Sequence, residues 1–325
     1  MSEIKRIAVL CSGGDSPGMN CAIRAVVRTG IGAGLEVFGI QKGYAGLLEG
    51  NIRQLEVSSV GNILQHGGTI LQTSRCPEFM TEEGRREAAN LLKRKKIEAL
   101  IVIGGDGSFN GAMKLYEEHQ IPVVGIPGTI DNDIDGTEYT IGFDTAVQNA
   151  VDAVDKIRDT ANSHARTFIV EVMGRRSPAI ALKVGICTGA ENVVLPTTSI
   201  DYQKIVNDID RGIKRGKTSS IIIAAEGEVE GVGHTIQKEL KDKFGLQAHV
   251  CILGHIQRGG NPTPTDRYIA SQMGQMAIEA LVSGEKATAT VFLNGKVVLA
   301  QLKNCLRKKN EFDVSDIELL TALSI

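Results

Sequence analysis

The segment LIVIGGDGS, residues 100–108, joins a short apolar run to a cluster of glycines, one carboxylate and one hydroxyl. An apolar run of this length is typical of a strand that is buried on both faces. Glycines directly after such a strand let backbone N–H groups approach a phosphate closely, and the following helix begins at its positive end. A tight strand–helix turn capped by Asp106 or Ser108 accounts for the same residues, so the segment alone favours neither interpretation.

Apolar runs of similar length recur along the chain and alternate with longer helical patterns. The other apolar runs are Ile7–Leu10, Leu35–Ile40, Val123–Ile126, Phe168–Val172, Val193–Leu195 and Ile221–Ala225. The helical patterns are Met19–Thr29, Glu82–Lys96, Asn110–His119, Thr145–Thr160, Tyr202–Lys214 and Thr265–Ser283. This alternation predicts an α/β protein built from βαβ units, with parallel sheets covered by helices. The length of 325 residues suggests two domains.

Two further polar clusters follow predicted strands, at Ser12–Asp15 and at Pro127–Asp133. Ligands of open parallel sheets bind beyond the carboxyl ends of the strands, so we expect the three loops to converge on one cleft. In the second cluster, Asp131 is a candidate base for a hydroxyl acceptor, and Asp133 could orient it. Thr129 could hold a metal-bound water. An Asx-rich turn with ordinary solvation remains an alternative.

The composition excludes several classes of protein. A net charge of −2 argues against general binding of nucleic acid, which needs a basic face. No apolar stretch approaches 18 residues and no segment resembles a targeting signal, so we expect neither a membrane span nor a leader. Six cysteines without CxxC spacing predict reduced thiols, mostly in the core, in a cytosolic protein.

Two glycine-rich stretches have misleading spacings. Residues 30–34 precede a strand instead of following one, which predicts a helix C-cap and not a dinucleotide-binding turn. Residues 212–218 resemble a Walker A loop but have three residues between the glycines and a helix before them, so we predict no P-loop. In the block Leu253–Asn261, His255 and Arg258 are a plausible phosphate- or hydroxyl-binding pair, although a lone histidine near a strand end is more often structural.

Together these segments resemble the bacterial-type ATP-dependent 6-phosphofructokinases, the phosphofructokinase A family. The resemblance covers essentially the whole chain and is closest through about residue 175. The segments that carry it are Ser12–Asn20, Ile103–Ser108, Pro127–Asp133, Ile157–Thr160, Glu171–Arg175 and Leu253–Gly260, with Glu226.

The resemblance implies two Rossmann-like three-layer domains with mainly parallel sheets and an active site between them. The larger, ATP-binding domain is expected at residues 1–141 and 256–308, and the smaller, fructose 6-phosphate-binding domain at 142–255 and 309–325. The implied reaction moves the γ-phosphoryl group of ATP, with Mg²⁺, onto the 1-hydroxyl of fructose 6-phosphate. A cytoplasmic homotetramer is implied, with active and effector sites shared between subunits.

The resemblance also assigns roles to individual residues. Asp131 is the base, Asp133 supports it, Thr129 helps to place Mg²⁺, Asp106 holds the metal, and Arg175 stabilises the transferring charge, with Gly14 also in the catalytic set. The ATP site comprises Gly14, Arg75, Cys76, Gly105, Asp106, Gly107 and Ser108. The fructose 6-phosphate site comprises Thr129, Asp131, Arg166 from a neighbouring subunit, Met173, Gly174, Arg175, Glu226, His249, His255 and Arg258. An ADP or phosphoenolpyruvate effector site comprises Arg24, Arg28, Arg158, Glu191 and Lys217.

The sequence departs from the family pattern on the sugar and effector sides. His249 stands where the family has an arginine that clamps the sugar phosphate across a subunit interface, and Pro178 would change how the next helix starts. Val57 and Ser219 replace a basic residue and a frequent histidine of the effector site. Glycine at 107 and 128 favours ATP, because pyrophosphate users carry Asp and Lys there.

These departures leave two alternatives beside an ATP-dependent kinase of fructose 6-phosphate. One is an enzyme that uses pyrophosphate or another sugar phosphate. The other is a catalytically weak, nucleotide-binding regulatory paralogue, against which the presence of Asp106, Asp131, Asp133 and Arg175 argues.

Overall fold

The computed structural model describes residues 4–196, 199–227, 231–307 and 314–323. The chain divides into two compact units. The first comprises Met1–Thr145 and Arg258–Lys309, and the second comprises Ala146–Gln257 and Asn310–Ile325. The chain therefore passes into the second unit inside a helix, returns to the first just before Arg258, and enters the second again after Lys309.

Strands and helices alternate through most of the described chain. The strands are β1 (Arg6–Ser12), β2 (Glu36–Ile40), β3 (Ile52–Leu55), β4 (Ala99–Gly104), β5 (Val123–Pro127), β6 (Thr167–Val172), β7 (Asn192–Val194), β8 (Ser220–Ala225), β9 (Ala248–Ile252), β10 (Thr288–Leu293) and β11 (Lys296–Gln301). The helices are α1 (Met19–Gly32), α2 (Gly43–Leu48), α3 (Glu82–Arg94), α4 (Asp106–His119), α5 (Phe143–His164), α6 (Ala179–Thr188), α7 (Tyr202–Lys214), α8 (Val232–Phe244), α9 (Pro264–Val282) and α10 (Val314–Leu323).

The first unit contains a seven-stranded sheet in the order β11-β10-β5-β4-β1-β2-β3. Its inner strands are parallel, whereas β3 and β11 pair antiparallel at the two edges. Alternate residues of β1 enter different cores: Ile7 and Val9 pack on the side of α1 and α9, and Ala8 and Leu10 pack on the side of α3 and α4. Helices therefore cover both faces of the sheet, in three layers.

Close contact between α1 and α9 depends on a small residue. A Cβ at Gly274 of α9 would lie 2.7 Å from the carbonyl oxygen of Ala22 in α1. A side chain there would push the two helices apart, so glycine sets their separation.

The second unit contains a four-stranded parallel sheet in the order β7-β8-β6-β9. Its core joins Ile169 of β6 and Ile222 of β8 to Ile205 of α7 and Leu240 of α8. The α/β prediction with mainly parallel sheets is therefore confirmed, and each predicted apolar run lies on a strand except for the end residues Leu35 and Leu195.

Several elements went unassigned from the sequence, or were assigned only approximately. The edge strands β3 and β11 mix polar and apolar residues and carry no continuous apolar run.

The two misleading glycine stretches behave as predicted, because α1 ends at Gly32 and α7 runs into residues 212–218. Among the thiols only Cys11, Cys21 and Cys305 are buried, so the expectation that most cysteines lie in the core is wrong for the other three. Within the described ranges, no helix is long and apolar enough to cross a membrane.

Candidate active site

The three polar loops of the first unit begin next to one another, at the carboxyl ends of neighbouring strands. Strand β4 lies between β1 and β5, and all three are parallel. Ser12 is opposite Gly104, and Gly104 is opposite Pro127, so the three strands end level with one another. The backbone N–H of Gly128 donates to the carbonyl oxygen of Gly104 at 3.0 Å and continues this register into the loops.

The loop after β4 passes directly into α4 without room for side chains at its start. A Cβ at Gly104 would lie 2.4 Å from the carbonyl oxygen of Ser12 and 2.6 Å from Oγ of Ser108. Tyr44 Oη donates to the carbonyl oxygen of Ser108 at 2.7 Å and fixes the first turn of α4. Gly107 is exposed, and a Cβ there would contact nothing within 4 Å. The first turn of α4 therefore has open space beside Gly107, and the start of a helix is suited to an anion.

Asp106 is the first residue of α4 and is the candidate metal ligand. Its side chain accepts a hydrogen bond from Asn110 Nδ2 at 3.0 Å. Partial burial raises the pKa of Asp106 above its ordinary value, and the bond from Asn110 acts in the opposite direction. Among the residues that the structure describes, no three acidic, histidine or cysteine side chains gather into a cage for a metal.

The loop after β1 lies against an arginine from the other end of the chain. The guanidinium of Arg258 covers Gly14, where a Cβ would lie 2.4 Å from Nη1, and donates to the carbonyl oxygen of Asp15 at 3.0 Å. Thr73 Oγ1 donates to the carbonyl oxygen of Gly13 at 2.7 Å and thereby tethers the segment that carries Arg75 and Cys76. Arg75 is exposed and Cys76 is half-buried.

The loop after β5 holds two carboxylates in different environments. Asp131 is buried and Asp133 is exposed. The N–H of Asp131 donates to Thr129 Oγ1 at 3.2 Å, and Asn132 between the two aspartates has a φ of 49°. Such a left-handed residue is tolerated by asparagine better than by most side chains. It reverses the chain so that the two aspartates do not share one environment.

The carboxyl ends of β6, β8 and β9 gather another group of the predicted residues, within the second unit. Met173 N donates to the side-chain oxygen of Gln257 at 2.8 Å, and Glu226 N donates to the carbonyl oxygen of Val172 at 2.8 Å. Gly174 has a φ of 146°, and a Cβ there would lie 2.6 Å from the carbonyl oxygen of Ser177. The next residue, Arg175, is exposed in a left-handed conformation.

The proline after this turn stands at the start of the next helix, as the departure from the family pattern predicts. Pro178 is the N-cap residue of α6, and Ser177 Oγ accepts a hydrogen bond from the N–H of Ala179. His255 is exposed in a short 3₁₀ turn, Gly254–Arg258, that follows β9.

Two predicted sugar-binding residues lie at the opposite end of the same sheet. Arg166 is exposed directly before β6, and His249 is exposed on β9 beside Phe168, with the two rings 5.2 Å apart. The six residues of β6 lie between Arg166 and Met173, and the seven residue steps span about 23 Å at about 3.3 Å per residue. Within one copy of the second unit, these two residues are therefore remote from the turn that carries Arg175.

The predicted effector residues fall into two groups. Arg24 is half-buried and Arg28 is exposed, one turn apart on α1. In the second unit, Glu191 accepts from Lys217 Nζ at 2.9 Å and from the N–H of Ile221 at 2.6 Å, and lies 4.0 Å from Arg158. The buried carboxylate of Glu191 thus already binds the two cations of this group.

The sequence did not identify three polar residues that organise these loops, namely Tyr44, Gln257 and Asp266. Gln257 lies inside the block that carries His255 and Arg258, but its buried side chain is visible only in the structure. The pattern Thr263-Pro264-Thr265-Asp266 is a helix-start signal. Thr263 does cap α9, by accepting from the N–H of Asp266.

Comparison with known proteins agrees on one family. A family model described as phosphofructokinase matches residues 6–281. The chain is similar to the ATP-dependent 6-phosphofructokinases of Halalkalibacterium halodurans, at 51% identity, and of Bacillus subtilis, at 50%. Each match spans 322 residues, 99% of this chain and 100% of the relative. The solved phosphofructokinase of Saccharomyces cerevisiae matches with a TM-score of 0.88 and 36% identity over 99% of this chain, which spans about half (48%) of the yeast chain.

Proposed function

The chain belongs to the phosphofructokinase family, and we propose that it transfers the γ-phosphoryl group of ATP to the 1-hydroxyl of fructose 6-phosphate. It is an ATP-dependent kinase of glycolysis, with relatives of that activity at about half identity over its full length. One observation supports the chemistry above others. The glycine loop and the carboxylate loop lie side by side, since a Cβ added at Gly105 would lie 3.7 Å from Cβ of Thr129.

We assign the ATP phosphates to the loops at the carboxyl ends of β1, β4 and β5. The donors to the phosphate oxygens would be the backbone N–H groups of Gly14, Gly105 and Gly107 and the hydroxyl of Ser108. Arg75 and Cys76 are tethered to the same loops through Thr73. Phosphoryl transfer depends mainly on such positioning and on charge stabilisation.

Mg²⁺ fits the side chains at the carboxyl ends of these strands. The ion is usually bound by one or two carboxylates together with substrate phosphates and water, and Asp106 offers an exposed carboxylate on the first residue of α4. When bound, Mg²⁺ would neutralise charge on the phosphates. Thr129, half-buried next to Gly105, would hold a water of that ion.

Asp131 is the proposed base for the sugar 1-hydroxyl. Its burial withholds it from bulk water, and its N–H bond to Thr129 fixes the backbone next to the carboxylate. We assign the exposed Asp133 to support of this carboxylate, and Arg175 to the charge on the transferring phosphoryl group.

Fructose 6-phosphate is assigned to Met173, Gly174, Arg175, Glu226, His255 and Arg258 of one chain. The separation along β6 supports the further proposal that Arg166 and His249 serve a neighbouring subunit. An active site completed across subunits requires a homo-oligomer, which we propose to be a cytoplasmic homotetramer.

The same assembly would carry an effector site for ADP or phosphoenolpyruvate, made by Arg24, Arg28, Arg158, Glu191 and Lys217. The positive charge of this site is already partly neutralised, since the carboxylate of Glu191 binds Lys217 and lies near Arg158. A phosphate ligand must compete with that carboxylate. Val57 is exposed and adds no charge, so we propose that effectors bind weakly.

The phosphoryl donor is expected to be ATP, with a higher rate than pyrophosphate at saturating sugar phosphate. Gly107→Asp should lower kcat/KM for ATP at least about tenfold, because two like charges about 4 Å apart near a protein surface repel by about 4 kcal/mol. Gly32→Asp, at a glycine that also has open space, is the matched control. A wild-type pyrophosphate rate above the ATP rate would contradict the assignment of the donor.

Asp131→Ser should lower kcat by about 10²–10⁴-fold, the usual contribution of a positioned base, while affinity for ATP changes little. Asp135→Ser makes the same replacement four residues further along the loop and should retain activity. Steady-state kinetics with MgATP and fructose 6-phosphate measure both variants. If Asp131→Ser keeps most of its kcat, another group takes the proton.

Titration of ADP or phosphoenolpyruvate at subsaturating substrate should change the wild-type rate only weakly. Val57→Arg should lower the half-maximal effector concentration at least about tenfold, since a hydrogen bond to a charged group contributes about 1.5–3 kcal/mol. Ile213→Arg adds the same charge at an exposed site and should not. Tight regulation of the wild type, or no difference between the two variants, contradicts the proposal.

His249→Arg should lower the KM for fructose 6-phosphate at least about tenfold at pH 8 and saturating MgATP. Arginine grips phosphate with two parallel hydrogen bonds and is always charged, which restores a contact of about 1.5–3 kcal/mol. Lys243 is poorly placed to bind the sugar phosphate instead of an arginine at position 249. Its ammonium group binds Glu239 at 2.5 Å and lies over the ring of Tyr202.

His234→Arg, at another exposed histidine of the same unit, is the control for charge alone. An unchanged or higher KM for His249→Arg would show that position 249 does not meet the sugar phosphate.

A further inference from the structure

Asp266 is a fully buried carboxylate in the first turn of α9, and it accepts four hydrogen bonds. Oδ1 accepts from Tyr139 Oη at 3.0 Å and from Gly142 N at 2.6 Å. Oδ2 accepts from Thr145 N at 2.9 Å and from Thr145 Oγ1 at 2.5 Å. Its donors thus come from one short segment, residues 139–145, that is distant from Asp266 in the sequence.

That segment supports the loop that carries Asp131. Ile141 N donates to the carbonyl oxygen of Pro127 at 2.9 Å, and Thr140 Oγ1 donates to the carbonyl oxygen of Thr129 at 2.6 Å. At the far side of the loop, Asn132 Nδ2 donates to the carbonyl oxygen of Glu138 at 3.1 Å. The backbone on both sides of Asp131 is therefore bonded to residues 138–141.

The loop after β1 rests on the same segment. A Cβ at Gly142 would lie 2.5 Å from Cβ of Ser16. A Cβ at Gly18 would lie 2.8 Å from Cγ2 of Ile141 and 3.4 Å from Cβ of Asp266. Displacement of residues 139–145 would therefore move two of the three loops that follow β1, β4 and β5.

The geometry requires a carboxylate and not merely a polar side chain. Both oxygens of Asp266 accept from N–H or O–H donors, including two backbone N–H groups that cannot turn away. Asparagine has the same shape but offers one acceptor and one NH₂ group. It would leave at least one buried donor facing another donor, which is costly where no water can intervene.

Burial raises the pKa of Asp266 to about 6, and the bonds from Thr145, Gly142 and Tyr139 oppose this rise. Above that pH the side chain is ionised and can accept from all four donors. The assay described below is therefore best performed near pH 8.

We propose that Asp266 is a positioning residue for phosphoryl transfer: through Tyr139, Gly142 and Thr145 it holds residues 138–141 as the template on which the Asp131 loop is set. The inference rests on the proposed function for the identity of Asp131 as base. The hydrogen bonds that hold the Asp131 loop lie within the first unit, so their effect on the backbone of that loop can be measured without substrate.

The test combines hydrogen exchange with kinetics on the full-length protein. In Asp266→Asn, exchange should accelerate in the peptide covering residues 127–133 and stay unchanged in the one covering β4. The kcat should fall by about 10²-fold, the usual effect of a displacement of about 1 Å remote from the chemistry. The KM for ATP should change little. Asp208→Asn, at a buried aspartate of α7, is the matched control and should change neither quantity.

A second pair of variants decides the question if Asp266→Asn does not fold. Thr145→Val keeps the shape but removes one donor to Asp266, whereas Thr145→Ser keeps the hydroxyl. The valine variant should show faster exchange at residues 127–133 and a lower kcat, and the serine variant should restore both. A lower melting temperature with unchanged exchange at 127–133 and unchanged kcat overturns the proposal. If the wild type does not phosphorylate fructose 6-phosphate, the proposed function fails, and exchange alone still tests the template.

Discussion

The common register of β1, β4 and β5 is the constraint on which the first unit's chemistry depends. Ser12, Gly104 and Pro127 are opposite one another, so three loops begin at the same height. Glycine at 104 lets the strand ends approach, since any side chain would collide with Ser12 and Ser108. A shift of one strand by one residue would move its loop by about 3.3 Å and turn its side chains to the opposite face. The glycine loop after β4 and the loop that carries Asp131 would then no longer lie side by side.

The second sheet carries the proposed sugar-binding residues at both of its ends. The turn at Met173–Arg175 and Glu226 lie at the carboxyl ends of its strands, whereas Arg166 and His249 lie at the other end. A rigid parallel sheet cannot bring its two ends to one sugar phosphate. Two copies of the unit can do so, and the substitution at position 249 would then act across a subunit boundary. Under the proposed function, this geometry would link oligomerisation to catalysis.

Much of the fold and part of the site could be predicted from the sequence, because both depend on local patterns. Continuous apolar runs mark strands buried on both faces, and the glycines after them mark the loops. The edge strand β3 was missed because its residues, Ile52–Leu55, are half polar and pair on one side only. The contacts of Arg258 with the loop after β1, and of Asp266 with residues 139–145, join distant parts of the chain. No local pattern records such contacts, although each shapes the site.

The proposed reaction moves a phosphoryl group from ATP to the 1-hydroxyl of fructose 6-phosphate. The most direct test is ³¹P NMR of the purified protein with Mg²⁺, ATP and fructose 6-phosphate. We expect ADP to appear together with a second phosphomonoester signal, assigned to C1 of the sugar by its coupling to the C1 protons. Release of inorganic phosphate without a new sugar phosphate, or a new phosphate on another carbon, would contradict it.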